Sequence, residues 1–86
     1  MREKKRYLLM RGDPDETVKA LKEYLGLVAL WEASPRVLEK KGELSVVVVR
    51  NSGMRAFRAA NFLTNNEILL VSGSVRKLLK ALPKSL

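Results

Sequence analysis

The run Val46-Val47-Val48-Val49 constrains this chain more than any other feature. Successive side chains of a strand point to opposite faces, so a strand with one wet face alternates apolar and polar residues. These valines do not alternate, and their branched Cβ atoms favour extended backbone over helix. Leu44 to Arg50 therefore reads as a central strand covered on both sides. Helices packed on one face of a sheet leave the other bare. A second cover is needed, from a further helix or from a partner protein.

The remaining elements follow from period and punctuation. Arg6 to Arg11 reads as a first strand, apolar and flanked by charge. Gly12-Asp13-Pro14-Asp15-Glu16 opens a helix: Asp13 caps it, Pro14 suits the first helical position and Glu16 stands where a capping-box acid belongs. Pro14, Val18, Leu21 and Leu25 share its apolar face, and Gly26 is a natural terminator. Leu27 to Lys40 is read as extended, with Pro35 restricting it to an edge strand or a bulge. Lys41-Gly42 turns the chain into the valine strand. Asn51-Ser52-Gly53 starts a second helix, capped by Asn51 or Ser52, with Ala56, Phe57, Ala60 and Leu63 inward and Arg55, Arg58 and Phe62 outward. Glu67 to Ser72 is a fourth strand, and Ser72-Gly73-Ser74 leads to a short third helix with Val75, Leu78, Leu79 and Leu82 on one face, stopped by Pro83.

The order β-α-β-β-α-β plus a terminal helix predicts an α+β, ferredoxin-like sandwich with an antiparallel four-stranded sheet and a short C-terminal helix. The third helix is the candidate cover for the second face of the sheet. At 86 residues, 47% of them hydrophobic, residues 1–86 are expected to form a single domain. Tyr7 to Met10 is too short for a signal-peptide core and no apolar stretch can span a bilayer, so a soluble cytoplasmic protein is expected.

Catalysis finds little material. Histidine and cysteine are absent, which removes the common general base, the thiol nucleophile and the soft metal ligands. The nine acids are scattered along the chain, mostly beside lysine or arginine. Asp13, Asp15 and Glu16 could be imagined around a metal ion, but they fit a helix start favoured by the macrodipole. No glycine pattern matches a nucleotide fingerprint. No catalytic residue, metal or cofactor is expected. Trp31 reads as a core or interface anchor rather than a base-stacking residue.

The charge is the loudest bulk signal: +8 overall, with a pI near 10.2. It is unevenly placed, at +4 over residues 1–11, −2 over 12–49 and +6 over 50–86. Such a chain seeks a polyanion. In the expected fold, strands three and four run opposite to strand one. The start of strand one, the end of strand three, the start of helix two, the end of strand four and the start of helix three then share one edge. That edge gathers Lys4, Lys5, Arg6, Arg50, Arg55, Arg76 and Lys77, beside the caps at Asn51-Ser52-Gly53 and Ser72-Gly73-Ser74. Guanidinium forks with helix N-termini make a phosphate-binding surface. With Arg58, Ser72 and Ser74 added, these are the candidate RNA-binding residues; the bland alternative is a solvated basic rim. The RNA recognition motif shares this scaffold but stacks bases on strand aromatics. Here strand three offers only Leu, Ser, Val and Arg, and Tyr7 is the sole aromatic of strand one. Binding dominated by phosphates and RNA shape is expected.

Several segments together resemble a known family. They are Arg6-Tyr7-Leu8-Leu9, Ser34-Pro35-Arg36-Val37-Leu38-Glu39, the valine strand ending in Arg50, Arg55-Ala56, and above all Val71-Ser72-Gly73-Ser74-Val75-Arg76-Lys77-Leu78. The chain resembles the small ferredoxin-like protein subunit of archaeal and eukaryotic ribonuclease P. The resemblance implies a noncatalytic subunit of the ribonucleoprotein that removes the 5′ leader from precursor tRNA. Its partners would be ribonuclease P RNA, which performs the hydrolysis, and a larger TIM-barrel-like protein subunit in a hetero-oligomer. Two alternatives stand beside it. One is a ribosomal or RNA-chaperone protein on the same scaffold. The other is a small-molecule-sensing regulatory ferredoxin-like domain, which would not need this charge.

Overall fold

Antiparallel pairing of the first strand with the valine strand organises the molecule. The computed structural model describes residues 4–81. Strand β1 (Lys5–Arg11) lies between β3 (Leu44–Arg50) and β4 (Glu67–Ser72), and β2 (Arg36–Lys41) pairs with the outer side of β3. The sheet order is β2-β3-β1-β4, every neighbouring pair antiparallel, which is compatible with the ferredoxin-like arrangement. Register shifts at Leu9/Met10 against β4 and at Val37/Glu39 against β3 interrupt the two outer ladders. Such bulges are common where a sheet meets its edge strands.

After Gly26 the chain departs from the sequence reading. Helix α1 (Pro14–Ala20) begins as expected, with the Asp13 carboxylate accepting from the Asp15 N–H at 3.0 Å. It widens into a π turn over Leu21–Leu25 and ends where Gly26 takes a φ of 91°. The segment after Gly26, expected to be extended from Leu27, instead forms helix α2 (Gly26–Ala33). Leu27-Val28-Ala29-Leu30 is a short apolar run, and such runs fit a helix or a strand equally well by period. Leucine, alanine and glutamate favour the helix. Ser34 closes it in the left-handed region at φ 42°, its N–H donating to the Leu30 carbonyl, and Pro35 cannot continue it. Strand β2 accordingly begins only at Arg36.

The main core lies between the sheet and α1, α2 and α3 (Met54–Asn61). Leu8, Met10, Val47 and Val49 from the sheet meet Leu21, Ala33, Phe57 and Ala60 from the helices. Gly53, in the 3₁₀ turn Asn51–Gly53 before α3, sits so close to Ala33 that any Cβ there would overlap the Ala33 backbone. Two inward assignments fail: Leu25 and Leu63 are exposed, each at a helix end where the chain turns away. Thr17 takes a buried place instead, its hydroxyl donating to Asn61 Oδ1 at 2.8 Å. Asn66 completes that network. Its side-chain amide donates to Thr17 Oγ1 and to the Asp13 carbonyl, and its oxygen accepts from the Asp13 N–H.

The opposite sheet face is covered by helix α4 (Val75–Ala81), as the unalternating valines required. Leu78 packs on Leu9 and Val46, with Tyr7, Leu44 and Val75 around them. Val46 and Val47, which point to opposite faces, are both fully buried. Leu82 and Pro83, expected to end this helix, lie outside the described residues. No helix among the described residues is long and apolar enough to cross a membrane.

This packing predicts an asymmetry between neighbouring leucines. Leu78 is 1% exposed and Leu79 43%. Leu78→Ala should destabilise the protein by about 2–5 kcal/mol, and Leu79→Ala by less than about 1 kcal/mol. Urea unfolding measures both; equal losses would mean that α4 is not seated on the sheet.

Candidate nucleic-acid interface

The pairing register draws distant cations together at one end of the sheet. Lys5 pairs with Arg50, and Tyr7 sits between Val48 on one side and Ser72 on the other. Directly paired residues share a face. One row across that face therefore reads Arg36, Val48, Tyr7 and Ser72, and the next row outward holds Arg50 and Lys5. Lys5, Ser34, Arg36, Val48 and Arg50 line a concavity of about 150 Å³ at this end.

Arg6 points to the other face and ties three chain segments. Its Nε donates to Asn51 Oδ1 at 3.2 Å, and its guanidinium lies so close to Gly73 that a Cβ added there would stand 3.2 Å from Nη1. The Asn51 N–H donates to the Lys4 carbonyl at 2.8 Å. The start of β1, the exit of β3 and the exit of β4 thus meet, as the strand directions required. The expected side-chain cap on α3 is absent: Asn51 accepts from Arg6 instead, and the helix is entered through the 3₁₀ turn. After β4 the Ser74 N–H donates to Ser72 Oγ at 3.0 Å, a local side-chain turn within the Ser-Gly-Ser junction that leads into α4.

Of the sequence-derived candidates, the register and these hydrogen bonds bring together Lys4, Lys5, Arg6, Arg50 and Ser72. Ser74 follows directly, and Arg76 and Lys77 stand exposed on the first turn of α4. Arg55 is exposed near the start of α3, at the same end. Arg58 is not part of the cluster. It lies a turn further along α3 and lines a separate hollow with Phe62 and residues 68–71 of β4. Arg36 is an addition. Strand β2 runs in the same direction as β1, so its first residue belongs to the same end; an extended segment starting at Leu27 would have put Arg36 mid-strand. Trp31 is not a core residue, being 72% exposed, and the Arg50 guanidinium lies 5.6 Å from its ring centroid.

The electrostatics favour an anion. Among the described residues, no carboxylate is within ion-pair distance of Lys5, Arg6, Arg36, Arg50, Arg76 or Lys77, whereas Arg11 at the opposite end faces Glu67 at 3.8 Å. Clustered guanidinium groups without acidic partners raise the local positive potential, and guanidinium geometry matches phosphate. The face that would present stacking aromatics in an RNA recognition motif carries α4 here. No protein-family model matches the sequence, and a search of curated proteins finds no significant relative.

The cluster makes a prediction that bulk charge does not. Replacing Arg50, Arg76 and Lys77 together by alanine should weaken binding to structured RNA far more than replacing Lys19, Lys22 and Lys40. Both sets remove equal formal charge, but the second lies on α1 and its π turn and at the hairpin end of β2. Every cation–phosphate pairing abolished should lower the salt slope by about one. Equal losses in two variants with unchanged melting temperatures would make the protein a diffuse polycation.

Proposed function

We propose that this chain is a noncatalytic RNA-binding protein, and that it serves as the small protein subunit of a ribonuclease P. The observation that carries the RNA-binding part is the meeting of Lys5, Arg6, Arg36 and Arg50 at one end of the sheet without acidic partners among the described residues. The finer assignment rests on the resemblance of the Val71–Leu78 junction and the order of its companion segments. In that role the RNA holds the catalytic metal ions and cleaves the precursor tRNA. The protein screens phosphate repulsion where RNA segments approach one another, so the catalytic RNA folds with fewer counterions. It acts in the cytoplasm as part of a hetero-oligomer.

The larger protein partner is not needed to cover β3, because α4 does so. We assign it to the β4 side, where Phe62 is 91% exposed and Leu69, Leu70 and Val71 are also open. An unpaired strand edge with exposed apolar side chains is a ready surface for another protein.

Affinity for structured RNA should fall steeply with salt, since each duplex phosphate neutralised contributes a slope of about −0.9 in log K against log salt. Filter binding from low to moderate salt measures it, and a flat response would remove the electrostatic basis. In reconstitution with the cognate catalytic RNA and the partner subunit, adding this protein should lower the magnesium required for precursor-tRNA cleavage. An unchanged magnesium requirement would separate the chain from ribonuclease P while leaving RNA binding intact.

A further inference from the structure

Trp31 is the only tryptophan of the chain, and it lies open to solvent near the end of α2. Folding normally buries an indole, whose large apolar area makes it a strong contributor to a core. This one joins two surfaces of different character. On one side the Arg50 guanidinium lies over the ring, and Arg50 in turn lines the cationic concavity with Lys5 and Arg36. On the apolar side, Trp31 lines a shallow hollow with Leu27, Val28 and Leu30. A tryptophan that is 72% exposed as a residue has a ring face left for a ligand after Arg50 has taken its place.

A nucleotide carries the same two characters, an anionic phosphate joined to a flat apolar base. We propose that Trp31 is a stacking platform for an unpaired RNA base, and that Lys5, Arg36 and Arg50 hold the adjoining phosphate. The inference rests on the RNA-binding reading above and narrows it to single-stranded, looped or bulged RNA, because a duplex hides the faces of its bases. It also supplies the aromatic surface that the sheet lacks: the platform is carried by a helix beside the sheet rather than by its strands. The surroundings favour RNA over a protein partner here. Protein interfaces are enriched in tryptophan and arginine but depleted of lysine, whereas this ring adjoins, through Arg50, a concavity that also holds Lys5 and Arg36, with no acidic partner among the described residues. Arginine stacked on the indole also adds a cation to the aromatic stack, as single-strand binding sites do.

With a single tryptophan, the fluorescence of the full chain reports this site alone. Three probes separate the contributions: an oligoadenylate of about ten nucleotides, an abasic strand of the same length and charge, and a blunt RNA duplex. Oligoadenylate should quench Trp31 strongly, while the abasic strand and the duplex bind without comparable quenching. Trp31→Ala should weaken oligoadenylate binding about tenfold and leave abasic-strand binding unchanged. Trp31→Phe, which keeps an aromatic face, should restore most of the loss. Melting temperatures of both variants establish that they fold. If oligoadenylate binds without quenching and Trp31→Ala binds it as well as the parent does, the stacking platform is wrong while RNA binding stands. If none of the probes binds at low salt, the RNA-binding reading fails and takes this inference with it. Self-association of the parent chain that Trp31→Ala abolishes, seen by sedimentation, would assign the ring to a second copy and overturn the proposal.

Discussion

Burial of β3 on both faces is the constraint from which the architecture follows. Four consecutive valines place apolar side chains above and below the sheet, and every methylene left in water forgoes about 0.8 kcal/mol. Helices α1 to α3 satisfy one face through Val47 and Val49, and α4 satisfies the other through Leu78 against Val46 and Leu9. The strand is internal, with β1 and β2 at its sides and β4 paired with the far side of β1. In the register that buries Leu8 against Val47 and Leu9 against Val46, Lys5 stands opposite Arg50.

The same packing decides where a polyanion can bind. With helices over the central strands on both faces, what stays open on the outer strands includes apolar Val37, Leu38, Leu69, Leu70 and Val71, and the strand ends are the place where cations gather. Four of those ends are basic or lead into basic helix starts. At the opposite end Arg11 is paired with Glu67, and Asp13, Asp15 and Glu16 begin α1. The molecule is thus electrically lopsided along its strands, a distribution that in the proposed role would orient it on a phosphate backbone before the two surfaces meet.

Most of the fold was legible because period and breakers agreed from Arg6 to Pro14 and again from Leu44 to Ser72, although only the Asp13 cap formed as expected and the one on α3 did not. The one element of the wrong type fell in Leu27–Pro35, where a short apolar run has no decisive period and where tertiary packing, Ala33 against Gly53, settles the matter. Its consequence reached the site. With the second strand begun too early, Arg36 was a mid-strand residue and Trp31 a strand residue, and neither could be placed at the basic end. The strand directions alone were enough to gather Lys5, Arg6 and Arg50. Side-chain exposure was out of reach of pattern: nothing in the spacing of Leu25, Leu63 or Trp31 distinguishes an open apolar residue from a core one.

The central claim is that RNA is held at one end of the sheet rather than by charge spread over the surface. Amide chemical-shift mapping of the labelled chain during titration with a structured RNA tests it most directly. The account predicts perturbations concentrated at Lys4–Arg6, Arg36, Arg50–Asn51 and Ser72–Lys77, with the Trp31 indole N–H among the largest. Shifts distributed equally over Lys19, Lys22, Lys40 and these residues, or centred on α1, would contradict it.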